Sequence, residues 1–315
     1  MKLQDYYIIP YSEEYHEKAC QLEHGIVQGN NIQLEIIKKN FLDRARVFKK
    51  YYCCFALNNE HNLVGSAIGA QTTIVINGKQ SVAGIVFDTK VHPSFRSKGI
   101  GRMLAKDVYK QFFQPHGLSK IFITAKLSNL PVVKLSSRTV PNTWFYDFVY
   151  LTIPTNIRIK IAAAVGEIAQ QFSVQLFNHE DFSGENYTRL DNGLGYFHTY
   201  KMYRLKIKKI SWLYKKGIEF LKTMQPSKYT SLPCENDIIS FTTLYNHTPQ
   251  NIDGINEVLK NLELNGIKQL MVCCRRNDHI YNKLKKNSIN QYSYHVVSDF
   301  YLNKNDEIAI DVRCL

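Results

Sequence analysis

Residues 91–104, VHPSFRSKGIGRML, place Gly99 and Gly101 one residue apart, just behind Arg96, in a chain with only 16 glycines in 315 residues. Pro93 ends the preceding strand-like run because proline cannot continue a strand ladder. From residue 100 the apolar residues recur every fourth position, as on one face of a helix: Ile100, Leu104, Val108 and Phe112. The stretch therefore predicts a junction at which a strand leads into a helix.

The chemistry expected at this junction is phosphate binding. A helix start presents unpaired backbone N–H groups and the positive end of the helix dipole. Glycines without a Cβ let ligand oxygens approach the main chain, and Arg96, Lys98 and Arg102 add positive charge. The spacing matches neither a Walker loop nor the three-glycine dinucleotide fingerprint. It predicts a phosphate-binding loop of another kind.

The flanking sequence supplies the neighbouring elements of this loop. A period of about two residues predicts strands, and a period near 3.6 predicts helices. The asparagine-glycine pair at 77–78 is a hairpin signal. In chain order we predict a strand at Tyr6–Ile9, helices over Glu13–Val27 and Ile32–Val47, strands over Cys53–Leu57, Leu63–Ile76 and Ser81–Val91, the helix from Ile100, and strands over Lys120–Ala125 and Trp144–Leu151.

The pattern V-x-P-x-x-R-x-x-G-x-G, carried by Val91, Pro93, Arg96, Gly99 and Gly101, resembles the acyl-CoA signature of the GNAT N-acyltransferase superfamily. The order of elements over about residues 5–150 is also similar to that family's. The resemblance implies an α/β (α+β) fold with a GNAT-like mixed central sheet flanked by helices. It implies an acetyl-CoA co-substrate and an N-acetyltransferase in which a primary amine attacks the thioester directly, without a covalent intermediate.

The resemblance also implies which residues hold acetyl-CoA. Main-chain groups near Thr89 would pair with the pantetheine arm, and backbone amides of the loop would take the pyrophosphate. The residues so implied are Thr89, Lys90, Val91, Arg96, Ser97, Lys98, Gly99, Ile100, Gly101, Arg102 and Asn129.

The acid and the base of the reaction are harder to place. Asp88 is the only carboxylate between Ser81 and Gly101; within apolar neighbours its pKa could rise, or it could pair with Lys90 as an exposed carboxylate. Family members often carry a tyrosine as the acid where this chain has Ser136. Ser136 acting through water, Tyr146 from the next segment, or solvent are the alternatives, and Ser136 could equally be an ordinary helix residue. His92 could titrate beside the loop or cap a turn.

The second half repeats the order of the first: helix Ile255–Leu264, strand Gln269–Cys274, a helix ending at Asn287, and strand Tyr292–Tyr301. This predicts an internal duplication. The counterpart of the loop, residues 250–254, has one glycine, no cation and an aspartate that would repel phosphate. We therefore expect one cofactor site, in the first half.

This organisation is similar to that of tandem GNAT proteins, including plant hookless-type acetyltransferases. It implies a catalytic domain at 1–155, a connecting helix and linker at 156–193, and a degenerate GNAT-like domain at 194–315. The connecting helix is expected over Ile157–Phe172.

Composition limits the remaining function classes. A net charge of +13 favours an anionic ligand or partner. The alternation in Arg204–Lys209 favours a half-buried strand edge over a nucleic-acid groove. Seven cysteines, an odd number, favour a reducing, cytoplasmic location, and the adjacent pairs Cys53-Cys54 and Cys273-Cys274 are expected to be buried strand residues. The spacing of the cysteines and histidines predicts no metal site. Without a long apolar run we expect no membrane partner; the expected partner is a small-molecule or peptide amine, with an acyl-CoA-binding regulatory protein or a nucleic-acid-associated protein as alternatives.

Overall fold

The computed structural model describes residues 5–24, 26–27, 29, 31–139, 142–160, 170–178, 184–229 and 232–315. The helices in these ranges are α1 (His16–His24), α2 (Ile100–Val108), α3 (Leu130–Thr139), α4 (Trp212–Met224), α5 (Pro226–Tyr229), α6 (Ile255–Leu264) and α7 (His279–Leu284). The strands are β1 (Tyr6–Pro10), β2 (Ile32–Ile37), β3 (Tyr51–Asn58), β4 (Leu63–Ile76), β5 (Lys79–Val91), β6 (Ile121–Lys126), β7 (Trp144–Pro154), β8 (Phe172–Gln175), β9 (Tyr187–Arg189), β10 (Gly195–Phe197), β11 (Arg204–Ile210), β12 (Ile238–Ile239), β13 (Phe241–Tyr245), β14 (Gln269–Cys274), β15 (Asn290–Ser298) and β16 (Ile308–Asp311).

One large mixed sheet runs through both halves of the chain in the order β1-β3-β4-β5-β6-β15-β7-β14-β13-β10-β9. β16 pairs with β4 and with β8 beside this path, and β12-β11-β2 form a separate three-stranded sheet. The fold is thus mixed α/β, as the sequence predicts. β11 is the half-buried strand expected from Arg204–Lys209, although it lies in the middle of its sheet and not at an edge.

The large sheet has the same arrangement of strands on both sides of its central pair, β15 and β7. β6 and β14 flank the central pair β15-β7, and each is followed by a parallel neighbour, β5 and β13 respectively. α2 joins β5 to β6, as α6 joins β13 to β14; α3 joins β6 to β7, as α7 joins β14 to β15.

The central strands are exchanged between the halves. β15 lies between β6 and β7 and pairs antiparallel with both, although it comes from the C-terminal part of the chain. β7 in turn pairs with β14. The boundaries predicted at 155 and 193 therefore do not separate two self-contained sheets, because each half supplies a strand to the other.

The core lies on both faces of the large sheet. On one face, α2 packs on β3 and β4, and α6 packs on alternate residues of β7: Val149, Leu151 and Ile153. On the other face, Tyr146, Phe148 and Tyr150 of β7 pack in one cluster with β8, β16 and the segment 41–48. This second face carries the charged residues described below.

Local signals predict several elements correctly. β4 has the predicted bounds, and the hairpin residues Asn77 and Gly78 both have positive φ angles, 49° and 75°. α2 begins at Ile100 and continues into a wider helical turn, Tyr109–Phe113. The adjacent cysteine pairs, at 53–54 and 273–274, are buried in strands as expected.

Two predicted helices differ in the structure. The helix over Ile32–Val47 is wrong: residues 32–37 form β2 and residues 39–50 form turns. The alternation of Ile32, Leu34 and Ile36 also fits a strand, and pairing with β11 selects that form. In the predicted connecting helix, Phe172 instead begins β8, whereas residues 161–169 lie outside the described residues.

Candidate functional site

A β-bulge interrupts β5 where the signature begins. Ser66 of β4 faces Lys90 and Ile68 faces Phe87, so Asp88 and Thr89 together oppose the single residue Ala67. Asp88 has a φ of 49°, in the left-handed region that non-glycine residues rarely adopt. An extra residue of this kind bends a strand and increases its local twist.

The strands β5 and β6 diverge beside this bulge. They run parallel and pair only at Gly84 with Ile121 and Ile85 with Phe122. Beyond Ile85 the two strands no longer pair, so a cleft opens between their carboxyl ends. Such openings at the carboxyl ends of parallel strands are the usual ligand sites of open α/β sheets.

The signature loop closes the end of this cleft. A short helical turn over Pro93–Phe95 leads to Ser97 and Gly99, which have φ angles of 63° and 83°, and α2 starts at the next residue. Within the described residues, the backbone N–H groups of 97–101 have no hydrogen-bond acceptor. A run of unpaired amides at a helix start can bind phosphate, which is the chemistry that the sequence predicts for this loop.

Three cations belong to the loop and to the first turn of α2. Arg96 and Arg102 are exposed, and the Lys98 ammonium lies over the Phe95 ring, 4.8 Å from its centroid. Gly101 faces α3: a Cβ on this residue would lie 3.4 Å from the Leu135 side chain. Asn129, at the start of α3, is exposed, and its carbonyl accepts hydrogen bonds from the first turn of that helix.

Asp88 lies in a buried cluster of charges. Its carboxylate contacts the Lys38 ammonium at 2.5 Å and the Arg44 guanidinium at 3.2 Å, and Lys38 also contacts Glu23 at 2.9 Å. The Asp88 side chain is only 3% exposed, as is that of Lys38. Lys90 lies beside this cluster and is also buried.

Both sequence expectations for Asp88 are corrected by this cluster. Desolvation by burial favours a raised pKa, but the charges of Lys38, Arg44 and Lys90 together outweigh it and hold the pKa of Asp88 below its usual value. The carboxylate is therefore a weak base, and both of its oxygens are engaged. Its ion-pair partners are Lys38 and Arg44, and it is not an exposed carboxylate paired with Lys90.

Arg44 extends the cluster across the cleft. Its guanidinium donates to the carbonyl of Cys314, which also accepts a hydrogen bond from Thr124 of β6 at 3.0 Å. It donates to the carbonyl of Leu315 as well, at 3.2 Å. Hydrogen bonds from Asp88 of β5 through Arg44 and the Cys314 carbonyl to Thr124 of β6 thus connect the diverging strands. The facing backbone groups of β5 and β6 take no part in this connection.

Sequence reasoning missed Lys38 and Arg44 because they fall in the segment interpreted as a helix. Two consecutive lysines, Lys38 and Lys39, directly after an apolar run are a signal for the end of that run. No local pattern shows, however, that the first of them pairs with an aspartate fifty positions later.

Of the two candidate acids, the structure describes the side chain of Tyr146 only. The Tyr146 hydroxyl lies within hydrogen-bond distance of two carbonyls, those of Gln171 and Asp306, between which its one proton is shared, and burial raises its pKa to about 12. Tyr146 therefore stabilises the packing of β7. The prediction that it serves as the acid is not supported, because its hydroxyl is engaged by these carbonyls. Ser136 lies in α3, and its side chain is outside the described residues. His92 accepts a hydrogen bond from the Ser94 N–H at 3.3 Å, which supports its turn-capping role.

The matching gap in the second half is filled by the chain itself. β13 and β14 pair in parallel at their first three residues and then diverge. β8 bridges their ends: Asn246 N–H donates to the Val174 carbonyl at 2.7 Å, and Gln171 N–H donates to Asp278 at 2.8 Å. Phe172 of β8 is fully buried. Among the residues that the structure describes, no strand bridges the gap between β5 and β6, which is crossed by the Arg44 and Cys314 contacts given above.

Comparison with solved structures identifies the fold. Saccharomyces cerevisiae N-myristoyltransferase with bound myristoyl-CoA aligns over 96% of this chain and 85% of its own, with a TM-score of 0.60 and 11% identity. A GNAT-family acetyltransferase from Staphylococcus aureus Mu50 aligns over 44% of this chain and 85% of its own, with a TM-score of 0.34 and 15% identity. No curated protein matches the chain by sequence.

A family model gives the class of the first half. Residues 15–138 match the acetyltransferase (GNAT) family, a segment that contains the bulge, the cleft and the loop. The chain therefore carries a GNAT acetyltransferase family domain. The family match and the shared fold together support acyl-CoA-dependent N-acyl transfer as the general chemistry.

Proposed function

We propose that this protein is an acetyl-CoA-dependent N-acetyltransferase that transfers an acetyl group to a primary amine within a ternary complex. The observation that carries the proposal is the run of amides at 97–101, which have no acceptor among the described residues, beside the cleft between β5 and β6. These amides, with Arg96 and Lys98, would hold the pyrophosphate of the cofactor. The backbone of Thr89–Val91 would hold its pantetheine arm.

Bound acetyl-CoA would supply an activated thioester. The protein would align the acceptor amine against it, and such positioning alone can lower a barrier substantially. We infer that Asp88, pinned by Lys38 and Arg44, is a positioning residue that fixes the bulge and does not take the amine proton. Solvent or Ser136 would protonate the departing thiolate.

The acceptor that we propose is a small-molecule or peptide amine. We also propose that the C-terminal half is a degenerate GNAT-like repeat, as in the tandem and hookless-type proteins that the sequence resembles. Two observations support this: the strand arrangement is the same on both sides of β15 and β7, and β8 fills the gap between β13 and β14. The seven free thiols support a reducing, cytoplasmic location.

The test is thermal stabilisation by acetyl-CoA, coenzyme A and longer acyl-CoAs. A ligand that binds only the native state at one hundred times its Kd stabilises it by about 2.7 kcal/mol. We expect Arg96→Glu with Lys98→Glu to weaken binding at least about tenfold, because each charged hydrogen bond to phosphate contributes about 1.5 kcal/mol or more. Gly101→Val should act likewise by crowding the loop against α3.

The matched control is Lys106→Glu with Lys110→Glu, which makes the same charge change on exposed residues further along the helix. Equal affinities in the two double variants would refute the loop assignment. Binding without turnover of any amine would favour the regulatory acyl-CoA-binding alternative. Salt-dependent binding to nucleic acid, with no acyl-CoA binding, would favour the nucleic-acid-associated alternative.

A further inference from the structure

Helix α4 exposes large apolar side chains that a folded protein normally covers. Seven of its thirteen residues are large and apolar, and none of the thirteen is buried. Leu213 is 73% exposed, Phe220 63% and Met224 64%. An exposed apolar patch of this kind marks a surface for a partner.

Five of the seven large apolar residues of α4 share one side of the helix. At 100° per residue, these five fall within about one third of a turn: Phe220, Leu213, Met224, Leu221 and Tyr214. Lys216 lies on one flank of this face, and Lys215 and Lys222 lie on the other. An apolar face flanked on both sides by lysine is the pattern of a helix that lies in a membrane interface.

The charge around α4 is concentrated. Residues 204–228 hold eight basic residues and one acidic residue, a net +7 within a total of +13. The one acid, Glu219, pairs with Lys216 at 3.3 Å. On the neighbouring segment, Glu235 accepts a hydrogen bond from the Ile210 backbone, and Cys234 accepts one from the Lys222 ammonium.

We propose that α4 binds an anionic phospholipid surface, with its apolar face inserted among the headgroups and its lysines against the lipid phosphates. The expectation of no membrane partner rested on the lack of a spanning run, and the described helices are indeed all too short or too polar to cross a bilayer. A peripheral helix needs no such span. The proposal is independent of the acetyltransferase assignment.

Charge favours lipid over a second copy of this chain. A two-fold contact through α4 would place the same lysines of both copies against each other, because such an interface uses the same patch on each subunit. That like-charge contact would be unfavourable, whereas an anionic leaflet attracts each lysine near its surface.

The experiment measures binding of the full chain to vesicles of phosphatidylcholine alone and with about one third phosphatidylserine. A background with Trp144→Phe, Trp212→Phe and Met224→Trp leaves one tryptophan, placed on the apolar face of α4, so its emission reports insertion. We expect a blue shift with the anionic vesicles only. Lys215→Gln with Lys222→Gln should weaken binding about 30-fold at low salt, from about a fivefold contribution per lysine.

Leu213→Ser with Phe220→Ser should abolish the shift without lowering the Tm. The matched control, Val82→Ser with Leu264→Ser, changes two apolar residues that are 54% and 77% exposed elsewhere. Equal binding to both vesicle types, or equal loss in the control, would overturn the proposal. A lowered Tm in the α4 variant, or a dimer that this variant dissociates, would also overturn it by showing that protein covers the face.

Discussion

At the scale of single residues, Asp88 determines the geometry of the cleft. It occupies the bulge in a left-handed conformation, and two cations neutralise its buried carboxylate. Breaking a buried ion pair from one side is costly because it leaves an uncompensated charge. The same carboxylate in a solvated strand would contribute little.

We therefore predict that Asp88→Asn destabilises the protein by about 3–5 kcal/mol near neutral pH. The native pKa of Asp88 is lowered, so its stabilisation is fully present above the unfolded pKa of about 4 and is lost as pH falls through the native pKa. The difference from wild type should shrink below about pH 4. Denaturant unfolding between pH 3 and 7 measures it.

The control for Asp88 is Asp147→Asn, at a carboxylate that is 71% exposed. It should change stability by less than about 1 kcal/mol. If Asp88→Asn were as stable as this control, the buried charges of Lys38 and Arg44 would not need the Asp88 carboxylate to neutralise them, and the ion-pair argument would be wrong. Higher turnover in Asp88→Asn would contradict its positioning role.

At the scale of elements, close packing of α2 on the sheet sets the position of the loop. A Cβ at Gly69 of β4 would lie 2.4 Å from a methyl group of Val108, and one at Gly84 of β5 would lie 2.7 Å from the Phe113 ring. Both distances are too short for real contacts. These glycines allow the helix, and hence its amide-bearing start, to lie against the diverging strands.

We predict that Gly69→Ala costs about 1–3 kcal/mol, because an added methyl group forces α2 away from β4. Acyl-CoA affinity should fall as well, since the loop at 97–101 moves with the helix. Gly217→Ala in exposed α4 is the matched control: nothing lies within 4 Å of its Cβ, so it should stabilise the helix by up to about 1 kcal/mol. Thermal unfolding of the two variants with and without acetyl-CoA measures both stability and affinity. The same change in Tm for Gly69→Ala and Gly217→Ala would refute the packing argument.

At the scale of the whole molecule, local rules predict the parts better than their arrangement. The hairpin at Asn77-Gly78 and the start of α2 follow from a few neighbouring residues, so the sequence predicts both correctly. The ion pairs of Asp88 and the bonds of Tyr146 join distant segments, which no periodicity reveals. The repeated order of elements is visible in sequence, but the exchange of β7 and β15 is a property of strand pairing alone.

This exchange predicts that residues 1–155 do not fold alone. Removing the rest of the chain takes β15 from between β6 and β7, and takes β14 and α6 from the far side of β7. It exposes five large side chains of β7: Phe148, Val149, Tyr150, Leu151 and Ile153. At about 1.5–3 kcal/mol each, their burial equals the whole stability of a typical domain.

The fragment should therefore show no cooperative thermal transition, and acetyl-CoA should not stabilise it. Co-expression of residues 1–155 with 156–315 as two chains is the control, because strand exchange needs both halves but no covalent link between them. We expect this pair to copurify and to recover a single transition, since each half would again supply the other's central strand. A fragment 1–155 that unfolds cooperatively by itself would show that the N-terminal half completes its own sheet without β15.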